Sequence, residues 1–384
     1  MGKKVAIIGA GPSGCICAYY ALKNSQTSVD MYDFRPILST ILPTGNGRCN
    51  LAFAEFDFKT LASYYPRGEK FLYSIFSQFS TSDTLSFFEE IGIETYMQDD
   101  LRYFPMSNSS KEIQQVLADK LLKNKKFKFI KEKIENICEI KKQYDYVVIA
   151  TGSNPQILKE LSALNIATIP FKQSLVALKV QEAFLYQIPG VVLKNVTAKF
   201  KNYQLCDDFL ITHKTLSGPL MYKISSLMAF ENFPYSVSLN FTSFLDVDAF
   251  AKYFEKFITE NNNKNFLNVV SELVPNSFAQ LLFVLLKVDK SIKCHQVSKE
   301  MRQKFVNSLF DFKINVVSTQ KDGETVKAGG INTDFVNSKS MMIKNTENLF
   351  VIGEMLNVDG FCGGFNLQNC WSTGAICGKY LSNV

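Results

Sequence analysis

The chain has 384 residues, of which 46% are hydrophobic and 20% are charged, and its formal net charge is +6. This length corresponds to about two to three domains, and the apolar content excludes an intrinsically disordered chain. The mild positive charge suits an anionic cofactor or substrate and permits RNA contact, but it requires neither. The longest strongly apolar stretch, 278–288, is too short to cross a bilayer, so we expect no membrane-spanning segment.

Cysteine and histidine usage indicates the compartment and the absence of a metal. Nine cysteines are scattered without a C-x-x-C pair, and there are only two histidines. Such a set favours reduced, mostly buried thiols and offers no metal-ligand spacing. The N-terminus enters a strand-like run directly, without a signal peptide. We therefore expect a cytoplasmic protein without a metal.

The most informative pattern lies at the start of the chain. A strand-like run, 3–8, is followed by G-x-G-x-x-G at Gly9, Gly11 and Gly14, which opens a helix. These glycines permit a tight turn, close approach of a pyrophosphate and close helix packing. Asp33 ends the next strand about twenty residues later, a position suited to an adenosine ribose. The predicted dinucleotide site here comprises Gly9, Gly11, Pro12, Ser13, Gly14, Asp33 and Phe34.

Residues 1–165 have the sequence pattern of an α/β domain. Apolar spacing predicts helices at 70–79, 83–91 and 110–123 and strands at 127–130, 134–140 and 144–152. The last of these strands ends in Ala150-Thr151-Gly152, a sequence typical of a strand beneath a bound dinucleotide. Six lysines between 123 and 133 surround the strand at 127–130. We interpret this segment as an edge strand with its lysines in solvent.

The α/β sequence pattern gives way to short strands and helices at 166–325 and returns at 326–384. The middle block predicts short strands at 176–180, 191–200, 203–206, 208–212 and 235–241, and helices at 246–259, 278–288 and 299–309. The last block contains a strand ending in Gly353-Glu354, a glycine-rich turn and a helix at 366–381. The predicted fold class is therefore α/β: a split Rossmann-like domain with a β-barrel-like insert and a helical subdomain at about 246–310.

Five motifs occur in an order that resembles a known family. They are Gly9–Gly14, Thr44–Asn50, Ala150–Gly152, Thr212–Pro219, and Gly353-Glu354 continuing through Asp359-Gly360 to Gly363–Gln368. The whole chain resembles the bacterial NAD(P)/FAD-dependent oxidoreductases, also called aminoacetone-oxidase-family FAD-binding enzymes. This resemblance implies a glutathione-reductase-like FAD domain, a barrel insert, FAD as the cofactor and NAD(P)H as a transient reductant.

The resemblance extends the predicted FAD site to later segments. Glu354 would accept hydrogen bonds from ribityl hydroxyls, and N–H groups of Gly363-Gly364-Phe365-Asn366 would face flavin N1 and O2. Arg48 would neutralise the pyrophosphate or anchor a substrate anion, whereas Cys49 is interpreted as a buried structural thiol. The additional cofactor residues are Gly45, Gly47, Arg48, Cys49, Asn50, Ala150, Thr151, Gly152, Gly353, Glu354, Gly363, Gly364, Phe365, Asn366 and Leu367.

Several positions depart from the family pattern. Asn46 replaces a glycine, Ser153 follows Gly152, and the loop at 154–165 is short. Cys362 stands where a polar residue is common, so it either donates a proton to a substrate carbon or fills space. His213 either orients the substrate, donates a proton or is structural.

Three functions remain open from the sequence. The first is reduction of an activated carbon–carbon double bond by FAD, with NAD(P)H visiting transiently because there is no second G-x-G-x-x-G motif. Its substrate is a small molecule or, as the resemblance implies, uracil in ribosomal RNA. The second is oxidation of an amine or aminoketone by oxygen. The third is a non-catalytic flavoprotein, suggested by the short 154–165 segment.

Overall fold

Residues 2–320 and 326–384 are described by a computed structural model. They form two units: unit 1 combines Met1–Lys172 with Val326–Val384, and unit 2 is Gln173–Thr325. The first boundary lies beyond residue 165 because the chain adds one further strand before it enters unit 2. Both ends of the chain therefore build unit 1.

The first part of unit 1 alternates strands and helices. In chain order these are β1 (Lys3–Ile8), α1 (Pro12–Ala21), β2 (Thr27–Tyr32), β3 (Ala52–Phe53), α2 (Phe58–Ser63), α3 (Glu69–Phe76), α4 (Thr81–Glu90), β4 (Thr95–Met97), β5 (Arg102–Pro105), α5 (Ser110–Leu122), β6 (Phe127–Ile130), α6 (Ile137–Lys141), β7 (Tyr146–Ile149), α7 (Pro155–Ala163) and β8 (Thr168–Ser174).

Unit 2 and the return to unit 1 complete the chain. Unit 2 contains β9 (Leu178–Val180), β10 (Val192–Phe200), β11 (Tyr203–Ile211), β12 (Leu216–Ser217), α8 (Pro219–Leu227), β13 (Tyr235–Asn240), α9 (Val247–Glu260), α10 (Phe266–Val270), α11 (Asn276–Leu286), α12 (Lys299–Phe310) and β14 (Phe312–Thr319). The return consists of β15 (Val326–Ile331), β16 (Leu349–Val351) and α13 (Phe365–Asn383).

A five-stranded parallel sheet forms the centre of unit 1. Its strand order is β16-β7-β1-β2-β6, so a strand from the end of the chain joins the sheet begun by β1. Val5, Ile7, Val148 and Phe350 are fully buried, as expected for parallel strands covered on both faces. β3, β5 and β4 form a small antiparallel sheet, and β8 pairs with β15. The predicted split Rossmann-like fold is confirmed.

Helices α1 and α13 pack with their backbones in close contact. A Cβ built on Gly374 would lie 2.3 Å from Ser13 O, and one built on Gly378 would lie 2.4 Å from Cys17 O. Two glycines one helical turn apart therefore let α13 lie directly on the helix of the fingerprint. This contact joins the last helix of the chain to the first.

Unit 2 is a closed barrel with its own helices and core. The barrel order is β10-β11-β12-β9-β14-β13. The helical part contains α9–α12, and an aromatic cluster lies at its centre, with Phe266 packed edge-on against Phe305 at 4.8 Å. Asp246 caps α9 by accepting a hydrogen bond from Ala249 N at 2.7 Å. The predicted barrel-like insert and helical subdomain are thus present.

Some predicted elements need correction. The expected strand at 134–140 is irregular and then becomes α6, because Asn136 caps a helical turn by accepting from Glu139 N. The segment treated as a short loop at 154–165 contains α7, capped by Asn154. The strands expected at 203–206 and 208–212 are one strand, β11, and the sequence patterns did not reveal β8, β14 or β15.

The lysine-rich segment does surround an edge strand. β6 pairs with β2 and ends the five-strand order, while all six lysines between 123 and 133 are exposed. Phe127 is buried and Phe129 is half-buried, so the strand turns its aromatic rings away from the lysines. The predicted arrangement is confirmed.

We predict that Gly374→Ala lowers the free energy of unfolding by about 1–3 kcal/mol, because its methyl group overlaps a backbone oxygen of α1 that cannot move aside alone. Urea unfolding measures the change. Asn383→Ala, an exposed position on the same helix, is the control. Equal stability of Gly374→Ala and the wild type would show that the α1–α13 contact can accommodate a methyl group.

Candidate cofactor and active site

The fingerprint glycines bring β1, α1 and β7 into close contact. Gly9 has φ 111°, and a Cβ there would lie 2.2 Å from Ala150 O. A Cβ on Gly14 would lie 2.1 Å from Gly9 O. Only glycine fits either position, because the obstructing atoms belong to the backbone. The turn therefore packs directly against the end of β7, next to Thr151.

The N-terminus of α1 presents unpaired backbone donors. The first bond of the helix runs from Cys15 N to Gly11 O at 3.0 Å, and Pro12 has no N–H. Consequently the N–H groups of Ser13 and Gly14 lie outside the helical ladder. Together with the helix dipole they favour an anionic group such as a pyrophosphate.

Asp33 holds the fingerprint turn through both of its carboxylate oxygens. One carboxylate oxygen accepts from Ala10 N at 2.9 Å, and the other accepts from Arg35 N at 2.9 Å. Each oxygen retains acceptor capacity, so the contact to a ribose hydroxyl stays a prediction. Phe34, the next residue, is 55% exposed, with the Arg35 guanidinium 5.2 Å from its ring centre.

Two buried hydroxyls near these glycines favour a polar ligand. Thr40 Oγ1 and Thr151 Oγ1 are buried and have no hydrogen-bond partner within residues 2–320 and 326–384. Thr40 Oγ1 lies 3.6 Å from a Cβ built on Gly11, where no other atom comes within 4 Å. Buried hydroxyls normally have partners, so these two are candidate hydrogen-bonding groups for a bound ligand.

Glu354 brings a carboxylate to the same region. Glu354 Oε1 accepts from Lys327 N at 3.2 Å, and Glu354 Oε2 lies 3.6 Å from a Cβ built on Gly152. Burial raises the pKa of Glu354 to about 7; hydrogen bonds from Lys327 and Ser153 oppose the rise, and the charge of Asp359 adds to it. A carboxylate with unused acceptor capacity here suits sugar-like hydroxyls.

Gly353 is held between the first and last helices. Its N–H donates to Thr373 Oγ1 at 3.0 Å, and a Cβ there would lie 2.5 Å from Ser13 Oγ. Asn369 Nδ2 donates to Gly353 O at 3.4 Å, while the buried Asn369 Oδ1 has no partner among the described residues. These contacts place Gly353 and Glu354 beside the fingerprint helix.

The 44–50 loop packs against the start of α13. Gly45, Asn46, Gly47 and Cys49 all have φ between 58° and 82°. With its amide oriented so that both ends are bonded, Asn50 donates to Ala52 O at 3.2 Å and accepts from Gly364 N at 3.1 Å. The predicted cofactor segments at 44–50 and 363–367 therefore meet.

Burial keeps the Cys49 thiol in its neutral form. The side chain is fully buried, and burial raises its pKa to about 12 despite a hydrogen bond with Thr44. A thiol of this kind is inert at neutral pH because the thiolate is the reactive species. Cys49 therefore supplies packing beside the loop.

Two arginines share one aromatic ring. The Arg48 guanidinium lies 4.3 Å from the Phe104 ring centre, and that of Arg102, which is paired with Asp100, lies 5.6 Å from it. The pKa of Arg102 is raised by its hydrogen bond to Asp100 and to a smaller degree by interaction with the exposed Cys362, whereas burial opposes the rise. The structure therefore brings a predicted proton donor, Cys362, within electrostatic reach of a cation.

A buried ion pair holds the loop that carries Cys362. Arg67 binds Asp359 through two parallel hydrogen bonds, Nε to Oδ1 and Nη2 to Oδ2, and the two residues also form an antiparallel bridge. Asp359 is fully buried, and Phe361 N donates to Tyr64 O at 3.0 Å. The sequence motif includes Asp359, but nothing in it signals Arg67 as the partner.

The loop then closes onto α13. Asn366 Nδ2 donates to Gly360 O at 2.9 Å, and Asn366 Oδ1 accepts from Gly360 N at 3.0 Å. The Phe365 ring stacks on that of Tyr64 at 4.6 Å. These aromatic and amide contacts fix how the chain enters the last helix.

The expected donors at the start of α13 need one correction. Gly364 N donates to Asn50, so this backbone N–H is already bonded within the protein, while the side-chain amide of Asn366 is bonded to Gly360. The first helical bond runs from Gln368 N to Gly364 O at 2.9 Å. The backbone N–H groups of Phe365, Asn366 and Leu367 remain outside the ladder, and they are the candidate donors.

His213 lies in unit 2, not in the unit that carries the cofactor residues. It is exposed in a turn between β11 and β12, where Thr212 Oγ1 accepts from Thr215 N at 3.0 Å. The turn is thus stabilised by its threonines. A catalytic role for His213 stays a prediction that the geometry of unit 2 does not strengthen.

The described residues contain neither a metal-binding cluster nor a membrane-spanning helix. No group of three or more His, Cys, Asp or Glu side chains within residues 2–320 and 326–384 has metal-binding geometry. In the same ranges no helix is long and apolar enough to cross a membrane. All nine cysteines are free thiols, and five of them are buried.

Comparison with known families identifies the group to which this architecture belongs. A family model described as "HI0933-like protein Rossmann domain" matches residues 3–380. The chain belongs to this family. The match confirms the predicted resemblance, and the family implies FAD as the cofactor. The unpartnered Thr40 and Thr151 hydroxyls, the free α1 amides and the Glu354 carboxylate fit that group.

Curated relatives align along nearly their whole length. The chain is 24% identical to the 3-dehydro-bile acid delta(4,6)-reductase of Clostridium scindens, covering 98% of both proteins. It is 23% identical to the ribosomal RNA dihydrouridine synthase of Escherichia coli, covering 98% of this chain and 97% of that protein. The same-named protein of Haemophilus influenzae is 24% identical, with 98% of both covered.

Solved structures are more distant. A flavocytochrome c3 fumarate reductase in an open conformation is 11% identical, with a TM-score of 0.47, over 100% of this chain and 78% of that one. CtdE in complex with FAD and a substrate is 10% identical, with a TM-score of 0.35, over 97% of this chain and 79% of that one.

We predict that Glu354 makes the flavin-free protein less stable as pH rises. Because its folded pKa is about 7 and its ordinary value is 4.5, the folded state holds the extra proton between these values and loses its advantage as pH rises through them. Relative to Glu354→Gln, the wild type should lose at most about 3 kcal/mol between pH 5 and pH 8. Urea unfolding at the two pH values measures this loss, with the exposed Glu347→Gln as the control. A pH-independent difference would contradict the assigned burial.

We predict that Arg67→Met lowers the free energy of unfolding by about 3–5 kcal/mol, because Asp359 stays buried without its bidentate partner. Adding Asp359→Asn removes the stranded charge, so the double variant should recover part of the loss in urea unfolding. A single variant within about 1 kcal/mol of the wild type would show that the pair does not hold the loop.

Proposed function

We propose that this protein is an FAD-dependent reductase that adds hydrogen to an activated carbon–carbon double bond, with NAD(P)H as the transient reductant. The observation that carries the proposal is the pair of guanidinium groups, Arg48 and Arg102, on the Phe104 ring, together with the electrostatic interaction between Arg102 and the exposed Cys362. Arg48 offers a cation for developing negative charge, and Cys362 offers a proton donor. Uracil in ribosomal RNA is the preferred substrate, and a small enone is the other.

Names of the relatives support this reaction class. Both "dihydrouridine synthase" and "delta(4,6)-reductase" describe addition of hydrogen to ring double bonds. In the corresponding substrates a carbonyl group activates the double bond. A protein with this fold and an adjacent pair of guanidinium groups suits such chemistry, because negative charge develops on the carbonyl oxygen during reduction.

The protein groups hold and orient the reactants. When bound, FAD supplies the hydride chemistry. The N–H groups of Ser13 and Gly14 at α1 would bind its pyrophosphate, and Glu354 would accept from ribityl hydroxyls. The N–H groups of Phe365–Leu367 and the dipole of α13 would stabilise negative charge on the flavin ring system. Arg67 would position this last group of donors by holding the 359–364 loop.

Cys362 would deliver the proton. Its thiol is exposed, whereas Cys49 is fully buried with a pKa of about 12. Arg102 lies near enough to interact electrostatically with Cys362, and this cation favours the thiolate left after proton transfer. A proton lost from Cys362 Sγ to the substrate carbon would then be regained from solvent.

The charge of Arg48 weighs against the oxidase alternative. Amines are protonated at neutral pH, and the Arg48 guanidinium would repel them, whereas Arg102 is neutralised by its ion pair with Asp100. The 154–165 segment, which suggested a non-catalytic flavoprotein, is an ordered helix capped by Asn154. The helix does not lengthen the segment, so turnover decides between an active and a non-catalytic flavoprotein.

We predict that NADPH or NADH bleaches the flavin band of the anaerobic protein, and that 2-cyclohexenone or an oligouridylate restores it. Cys362→Ala should leave bleaching unchanged and slow restoration by about 10²–10⁴-fold, the range for loss of a general acid. Stopped-flow absorbance separates the two half-reactions. Cys138→Ser, another exposed thiol of unit 1, is the control.

Three results would contradict this proposal. A flavin that neither nucleotide reduces removes the reductase. A reduced flavin that is reoxidised by oxygen but by neither double-bond substrate favours an oxidase. Restoration at the wild-type rate in Cys362→Ala assigns the proton to another donor, including solvent.

A further inference from the structure

The strongest unassigned feature of the molecule is the basic edge, defined as Lys123, Lys125, Lys126, Lys128, Lys131 and Lys133. Residues 120–135 contain seven lysines and two glutamates, a net charge of +5 out of +6 for the whole chain. All six lysines of the basic edge are exposed. The positive charge of the protein is therefore concentrated on one side of unit 1.

Local structure presents these lysines to solvent together. Lys123 ends α5, and the following turn is closed by a hydrogen bond from Phe127 N to Asn124 O at 3.0 Å. β6 then runs along the outer edge of the sheet. From Lys125 to Lys133 the chain spans up to about 26 Å, the length of about seven stacked nucleotides.

Acidic neighbours neutralise only part of the basic edge. Lys133 pairs with Glu135 at 2.6 Å, and Asp30, in register with Lys128, lies 3.4 Å from Lys4 Nζ. The carboxylates of Glu135 and Asp30 are thus each paired with one lysine. Most of the excess charge remains to attract a polyanion.

Edge protection alone does not account for the cluster. Lysine on an edge strand prevents pairing with a second sheet, and one charge within a short strand is sufficient for that purpose. Only Lys128 lies inside β6; the other five lysines lie in the turn before it or in the segment after it. Their shared property is their charge, not their position on the strand.

We infer that the basic edge binds the phosphate backbone of the RNA substrate. The inference rests on the proposed function, since RNA is the partner named there. The six lysines of the basic edge supply the sequence-independent attraction that nucleic-acid binders use. Phe127 is buried beneath the strand, and Leu122, which is 57% exposed, is the one large apolar side chain exposed between residues 120 and 135, too little apolar surface to anchor the segment in a lipid layer. The observations therefore favour RNA over a membrane.

Salt-dependent binding of a labelled RNA tests the inference. Fluorescence anisotropy would follow a fluorescein-labelled oligouridylate of about 20 nucleotides, with the FAD-loaded wild type and K125Q/K126Q/K128Q. Loss of three phosphate contacts should reduce the slope of log K against log salt by about 2 and weaken binding at least about tenfold at low salt. The flavin spectrum and enone reduction should not change.

The matched control is K252Q/K256Q/K299Q, which removes the same charge from exposed lysines of α9 and α12. It should bind RNA within about twofold of the wild type. Equal loss in both triple variants would overturn the inference, because it would show a general charge effect. Unchanged binding and slope in the basic-edge variant would overturn it as well.

The test separates the inference from the proposed function. A wild type that reduces enones but binds no RNA at low salt removes RNA as the partner and the inference with it, while the reductase stands. A wild type that reduces no double bond but binds RNA through the basic edge removes the reductase and keeps the RNA site. Binding to vesicles of phosphatidylserine in place of RNA would reassign the basic edge to a membrane.

Discussion

The contact between α1 and α13 is the constraint on which the rest of unit 1 depends. Gly374 and Gly378 let the last helix lie with its backbone against the fingerprint helix, at distances that no side chain permits. The same helix carries Thr373 and Asn369, which hold Gly353 next to Ser13. The C-terminal part of the predicted cofactor site therefore reaches the N-terminal part through this packing contact as well as through the pairing of β16 with β7, although most of the chain separates them in sequence.

A second constraint acts on the loop that leads into α13 in the same unit. Arg67 and Asp359 form a buried ion pair, and it costs desolvation energy unless both groups are well bonded. The ion pair contributes geometric specificity, because it fixes the loop that carries Cys362 and leads into α13. Asn50 and Asn366 complete this arrangement by hydrogen-bonding to glycines of that loop. Polar contacts thus fix the conformation of a glycine-rich segment, which would otherwise adopt many backbone conformations.

Much of the fold could be predicted because it depends on local patterns. The G-x-G-x-x-G motif, β6 and the helices α4, α5, α9 and α12 occur within two residues of their predicted bounds. The predictions failed where capping or long-range pairing decides the structure. Asn136 and Asn154 begin helices where apolar runs suggested a strand or a loop, and β14 forms because a barrel needs a closing strand.

The site was predictable to the extent that it consists of motifs. The glycines, Asp33 and Glu354 could be named as candidate site residues, because their spacing in the sequence identifies the motifs to which they belong. Arg67, Tyr64 and the unpartnered hydroxyl of Thr40 could not, since each acts through a contact with a distant segment. Electrostatic grouping of Arg102 with Cys362 likewise depends on how β5 and the 359–364 loop approach each other.

The central claim is that both ends of the chain build one FAD site. Equilibrium titration of the flavin-free protein with FAD, followed by quenching of flavin fluorescence, tests it most directly. The account predicts one FAD per chain, bound with an affinity that Gly374→Ala reduces, because separation of α13 from α1 moves Glu354 away from the fingerprint. Failure to bind FAD, or binding that is equally tight in this variant, would contradict it.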